Sequence, residues 1–82
     1  MPRDSDRLDH LLAAADVIAG YLTGVDRERF SRECLLQDAV LRRLLVIGEA
    51  ASRLSEAFRN QHPEVPWRRI IAPIRFALRA AM

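Results

Sequence analysis

His10 and His62 are the only histidines of this 82-residue chain, and histidine is the side chain best suited to move a proton near neutral pH. Neither stands in a catalytic setting. His10 falls in a helix-patterned stretch as a surface or packing residue, and His62 opens the segment HPEVPW as a turn or capping residue. The single cysteine, Cys34, excludes an intramolecular disulfide and has no metal-ligand spacing around it; its apolar neighbours place it as a small core residue. No metal site and no cofactor-binding pattern is legible. The remaining chemistry belongs to arginine, whose planar fork grips phosphate through paired hydrogen bonds. Residues 1–58 carry eight arginines against ten acids, residues 59–82 five arginines against Glu64 alone, and there is no lysine. Arg68, Arg69, Arg75 and Arg79 are therefore the candidate contacts to the phosphates of a nucleic acid. The same arginines on a short helical tail would equally be solvated, or paired with acids of a partner subunit. Glu49, isolated in an apolar run, has Arg53 one turn on as a natural partner, or an arginine across a dimer interface; these two are the candidate dimer or site-adjacent residues.

The elements that must position these side chains are helical. Half the residues are hydrophobic, six per cent are aromatic, and only three glycines and four prolines supply turns. This mix predicts one all-α domain over residues 1–82. A first helix starts at Ser5 or Asp6 and presents Leu8, Leu11, Leu12, Ala15, Ile18 and Leu22 on one face. Gly20 marks a close helix contact, and Gly24 supplies a left-handed stop. Asp26 caps a short second helix with Phe30 inward. The long helix starts at Arg32 or Leu35 and runs to Leu54. It carries one stripe at Leu36, Val40, Leu44, Ile47, Ala51 and Leu54, and a second at Leu41, Leu45 and Gly48. That arc is wider than the roughly 100° a monomer's surface helix needs, which predicts a homodimer across this helix. Asp38–Arg42 and Glu49–Arg53 are acid-first pairs one turn apart. Ser55 caps a further turn or two with Phe58 facing in, and HPEVPW is a loop. Pro66 begins the last helix or closes that loop. Trp67, Ile70 and Ile71 give the last helix its buried face, and Pro73 bends or stops it. No stretch is long and apolar enough to span a bilayer and nothing reads as a signal peptide, so a soluble, cytoplasmic protein is expected.

Two segments together, QDAVLRRLLVIGEAASRLS and FRNQHPEVPW, carry a resemblance. From Asp9 to Ile71 the chain resembles the HepT-like branch of the HEPN superfamily, the toxin half of HEPN–MNT toxin–antitoxin pairs. The resemblance implies an antiparallel helical bundle that forms a homodimer, and a minimal nucleotidyltransferase (MNT-type) antitoxin as partner. It also implies metal-independent RNA cleavage. The family's site is an arginine, four to six residues, then a histidine, often followed two residues later by a tyrosine. The histidine would move the proton of a ribose 2′-OH while the arginine holds the phosphate as charge develops. The tyrosine is the point at which the antitoxin's nucleotidylation blocks the site.

Here the chain departs from the pattern. Counted from Trp67, those three positions hold Ile74, Arg79 and Ala81. Residues 72–82 read as a tail foreign to the family, so the bundle is expected to be incomplete at its C-terminal end, through truncation or a frame disruption. The expectation is a scaffold that keeps its dimer and antitoxin contacts and has lost the nuclease. The alternative is a small basic helical protein that binds nucleic acid through the four tail arginines, although no helix-turn-helix signature supports it.

Overall fold

A computed structural model of the chain describes residues 3–72, and among these there is no strand. Four helices follow in order, α1 (Asp4–Leu22), α2 (Arg27–Arg32), α3 (Cys34–Ser52) and α4 (Glu56–Gln61), and a fifth helical segment, α5, covers 67–72. The first helix begins slightly earlier than expected. Its cap is Arg3, whose backbone N–H donates to the Asp6 carboxylate at 3.2 Å, so Asp6 serves from inside the first turn. The other stops and starts follow local chemistry. Gly24 ends α1 with φ +72, and Asp26 opens α2 by accepting from the Arg29 N–H at 2.7 Å. A single extended residue, Glu33, separates α2 from α3. Gln37 bridges that break, its side-chain amide donating to the Phe30 carbonyl at 2.8 Å.

The structural centre is α1 packed against α3. They run antiparallel, since Arg7 and His10 near the start of α1 share a cavity with Glu49 and Arg53 near the end of α3. The core is made of Ala14, Val40, Ala50, Ala51, Leu54 and Ile71, half of it alanine, and small side chains at a helix contact let the axes come close. Three expectations are corrected here. The centre of the α1 face is Ala14, and Leu12 is rotated out to 52% exposure. Cys34 is exposed, because it is the first residue of α3 and precedes the part of that helix that reaches α1. Gly20 faces open space, with nothing within 4 Å of where a Cβ would stand. The long helix keeps Val40, Gly48 and Ala51 inside but leaves Leu41 and Leu44 about half exposed. Among the described residues no large side chain is completely buried, a thin core for a chain of this size.

The last described part is fastened by polar contacts. Ser55 caps α4, its Oγ accepting from the Phe58 N–H at 3.1 Å. It also meets Asp4 of α1 twice: Ser55 N–H donates to Oδ1 at 2.8 Å and Ser55 Oγ donates to Oδ2 at 2.6 Å. The loop between α4 and α5 is held by Trp67, whose indole N–H is shared between the carbonyls of His62 at 3.0 Å and Arg59 at 3.2 Å. Pro66 stands just before α5, its carbonyl accepting from Arg69 and Ile70, so it caps the helix from outside. Ile71 is buried as expected. The bend at Pro73 and the tail beyond it lie outside the described residues.

Candidate functional site

Among the described residues three surfaces stand out. The first is a groove of about 830 Å³ between α4, the loop and α5, to which Arg59, Arg68 and Arg69 contribute. Arg68 and Arg69, two of the four candidate contacts named from the sequence, are exposed in the first turn of α5. Arg59 is half-buried, and its Nε is closed to solvent with no hydrogen-bond partner. Glu56 and Glu64 also line the groove, but Glu64 sits 3.3 Å from His62 Nδ1. Among the described residues none of the three arginines has a carboxylate within 4 Å. Trp67 forms a wall, packed edge-on to Phe58 with ring centroids 6.3 Å apart.

The second surface is a cleft of about 270 Å³ between α1 and α3, lined by Arg7, His10, Val46, Glu49, Ala50 and Arg53. Glu49 and Arg53 form the expected ion pair at 2.9 Å, both about half exposed. Asp38 and Arg42, the other expected pair, do not come within 4 Å of each other. The third surface is apolar. Leu41 and Leu44, three residues apart on one side of α3, are open there, while Gly48 a turn further on is buried.

The two histidines are not brought together. His10 lines the α1–α3 cleft, and His62 caps the end of α4 with its ring tilted against Phe58 at 4.7 Å. Ile74, Arg75, Arg79 and Ala81 lie outside the described residues, so the structure brings together only part of the expected set. Arg7 and Arg59 were missed. Arg59 joins Arg68 and Arg69 only after the loop folds back onto α4, and Arg7 shares a cleft with Glu49 only across helices distant in sequence; no local spacing signals either. Asp4 was read only as a charge favouring the helix start. Its two hydrogen bonds from Ser55, the hydroxyl's first and the amide's second, lower its pKa below the ordinary aspartate value. Among the described residues no group of acids, histidines or cysteine could hold a metal ion, and no helix is long and apolar enough to cross a membrane.

Comparison with known proteins adds to this geometry. The profile of the ribonuclease HepT-like family matches residues 11–73. A protein of Caldanaerobacter subterraneus subsp. tengcongensis, provisionally named an RNase, is 35% identical over 63 residues, covering 77% of this chain and 56% of its own length. A protein of Thermococcus cleftensis, provisionally named ribonuclease HepT, is 35% identical over 63 residues, covering 77% of this chain and 57% of its own. A Methanocaldococcus jannaschii protein, named a gamma-glutamylcyclotransferase and provisionally an RNase, is 36% identical over 61 residues, covering 74% and 28%. The chain thus spans little more than half the length of the first two and about a quarter of the third. No solved structure matches it.

Proposed function

The chain belongs to the ribonuclease HepT-like family, and from that premise we propose that it is the scaffold of a toxin–antitoxin ribonuclease that does not itself cut RNA. The family match over residues 11–73 takes in α3 and the HPEVPW loop, and the observation that carries the reading is the set of residues at the motif positions counted on from Trp67. Those positions hold Ile74, Arg79 and Ala81. Without a histidine there, no group stands ready to take the 2′-OH proton, and a positioned acid–base group contributes about 10²–10⁴ in rate. An arginine at position 79 would still hold phosphate but would move no proton.

In this reading the protein acts in the cytoplasm and pairs with a second copy of itself along the Leu41–Leu44 side of α3. It also engages an MNT-type nucleotidyltransferase antitoxin. The half-exposed leucines and the thin core support the pairing, because an open apolar face on a helix is covered at least cost by its own copy. Glu49 and Arg53, paired on the opposite flank of α3, are the charged groups available to an antitoxin or to a second protomer.

The test is direct. The purified protein incubated with tRNA or mRNA without metal should leave the RNA intact over the time in which an active family member degrades it. Cleavage that disappears in Arg75→Ala or Arg79→Ala would overturn the inactive reading. Co-purification of this protein with a co-expressed MNT-type nucleotidyltransferase checks the partner, and failure to co-purify would remove the antitoxin from the proposal.

A further inference from the structure

We propose that the groove between α4 and α5 is a phosphate track for single-stranded RNA, held by Arg59, Arg68 and Arg69. The choice of RNA rests on the ribonuclease-family reading; the place rests on this chain's own residues. Three guanidinium groups from two elements line one groove, and among the described residues none is neutralised by a carboxylate within 4 Å. Two acids share the wall, Glu64 beside His62 and Glu56, which among the described residues makes no ion pair; three guanidinium groups against two carboxylates leave the groove net positive. Arg59 enters the groove through its terminal nitrogens, because its Nε is closed to solvent and so to a ligand there.

Trp67 explains how the track is built. Its indole N–H is already spent on the Arg59 and His62 carbonyls, so it offers a ligand no donor, only its part-exposed ring. The same two bonds tie the backbone of Arg59 to the start of α5, which keeps Arg59 in register with Arg68 and Arg69. Arginines tracking a backbone beside an aromatic wall are the elements from which single-strand sites are made. Duplex RNA is excluded on size. Reading it by shape takes a surface spanning successive minor grooves, far longer than α4 and one loop. Arg59, Arg68 and Arg69 are other residues than those at motif positions 74, 79 and 81, and they would position RNA whether or not it is cut.

Fluorescence anisotropy of a labelled oligouridine over a salt series tests this. Removing one arginine that holds a phosphate flattens the plot of log affinity against log salt by about 0.7 for a single strand. Arg68→Ala with Arg69→Ala is expected to flatten it by about 1.4, and Arg59→Gln by about 0.7. Arg27→Ala with Arg32→Ala on α2 should change nothing. Melting curves confirm that each variant is folded, and the doubly exposed Arg68/Arg69 pair keeps the test decisive if Arg59→Gln is not. Binding with an unaltered slope in the Arg68/Arg69 variant overturns the groove but leaves the RNA reading standing. Duplex RNA bound as tightly as the oligouridine overturns the single-strand assignment. A wild-type protein that binds no oligouridine at low salt overturns the track altogether, while the cleavage assay judges the family reading separately.

Discussion

Truncating Leu41 and Leu44 to alanine together should take the protein apart as a dimer before it takes the fold apart. In the protomer these side chains are 54% and 51% exposed. Burying a leucine completely contributes about 1.5–3 kcal/mol, so covering the open half of each contributes about 1 kcal/mol. A two-fold interface repeats every interaction, giving four leucines and about 4 kcal/mol, or roughly 10³-fold in the dimer dissociation constant. The alanine Cβ retains a little of this, which lowers the expected effect to roughly 10²–10³-fold. Sedimentation velocity across a dilution series reads the constant directly, with far-UV circular dichroism to confirm that the helices remain. Leu35→Ala is the control. Leu35 is 86% exposed and points away from Leu44, nine residues being two and a half turns, so it should leave the constant unchanged. If the double variant dissociates no more readily than the parent, or if the parent is monomeric at every concentration, the assignment of this face is wrong.

Three further outcomes follow from the framework. Leu54→Ala, at a site 2% exposed, should cost about 2–5 kcal/mol in urea unfolding. Against a total of about 4–12 kcal/mol for a chain of this length, that leaves a barely folded protein; a cost below about 1 kcal/mol would remove Leu54 from the core. The Asp4 carboxylate has its pKa lowered by Ser55, so its contribution is complete above the ordinary aspartate value and is lost as pH falls through the lowered one. Acid titration of wild type should therefore show a loss of stability below about pH 4 that Asp4→Asn does not show, and identical profiles would deny the clasp a role. Trp67→Phe keeps the apolar body but removes the shared indole N–H, for a loss of about 1 kcal/mol by circular dichroism melting. No loss would mean that the loop is held by packing alone.

The sequence was most legible where the physics is local. Asp26 and Ser55 cap the helices they were expected to cap, and Gly24 takes the left-handed stop, because a cap reaches only three residues along the chain. The all-helical architecture followed from stripes at spacings of three and four. A stripe gives a side of a helix but not its midline. Hence α1 buries Ala14, which the expected face left out and where a small residue lets α3 approach, while Leu12 of that face is open, and Cys34 is exposed at a helix start that apolar neighbours made look internal. What joins distant segments was out of reach: Asp4 to Ser55, Trp67 to Arg59, and Arg7 to the Glu49 cleft all depend on how the helices stack. Of the candidate site, Arg68 and Arg69 were legible as an adjacent basic pair, whereas Arg59 became a member only through the turn at HPEVPW.

The hydrogen bonds between Asp4 and Ser55 close a ring of chain across a separation of 51 residues. The first turn of a helix ordinarily frays at almost no cost. Here the opening turn is a fastener, and releasing it frees the cap that starts α4 and, through α4, the wall on which Arg59 sits. Amides at the beginning of α1 and of α4 should then exchange with solvent as a single cooperative unit. A handle fused immediately ahead of Arg3 would disturb a remote groove it never touches.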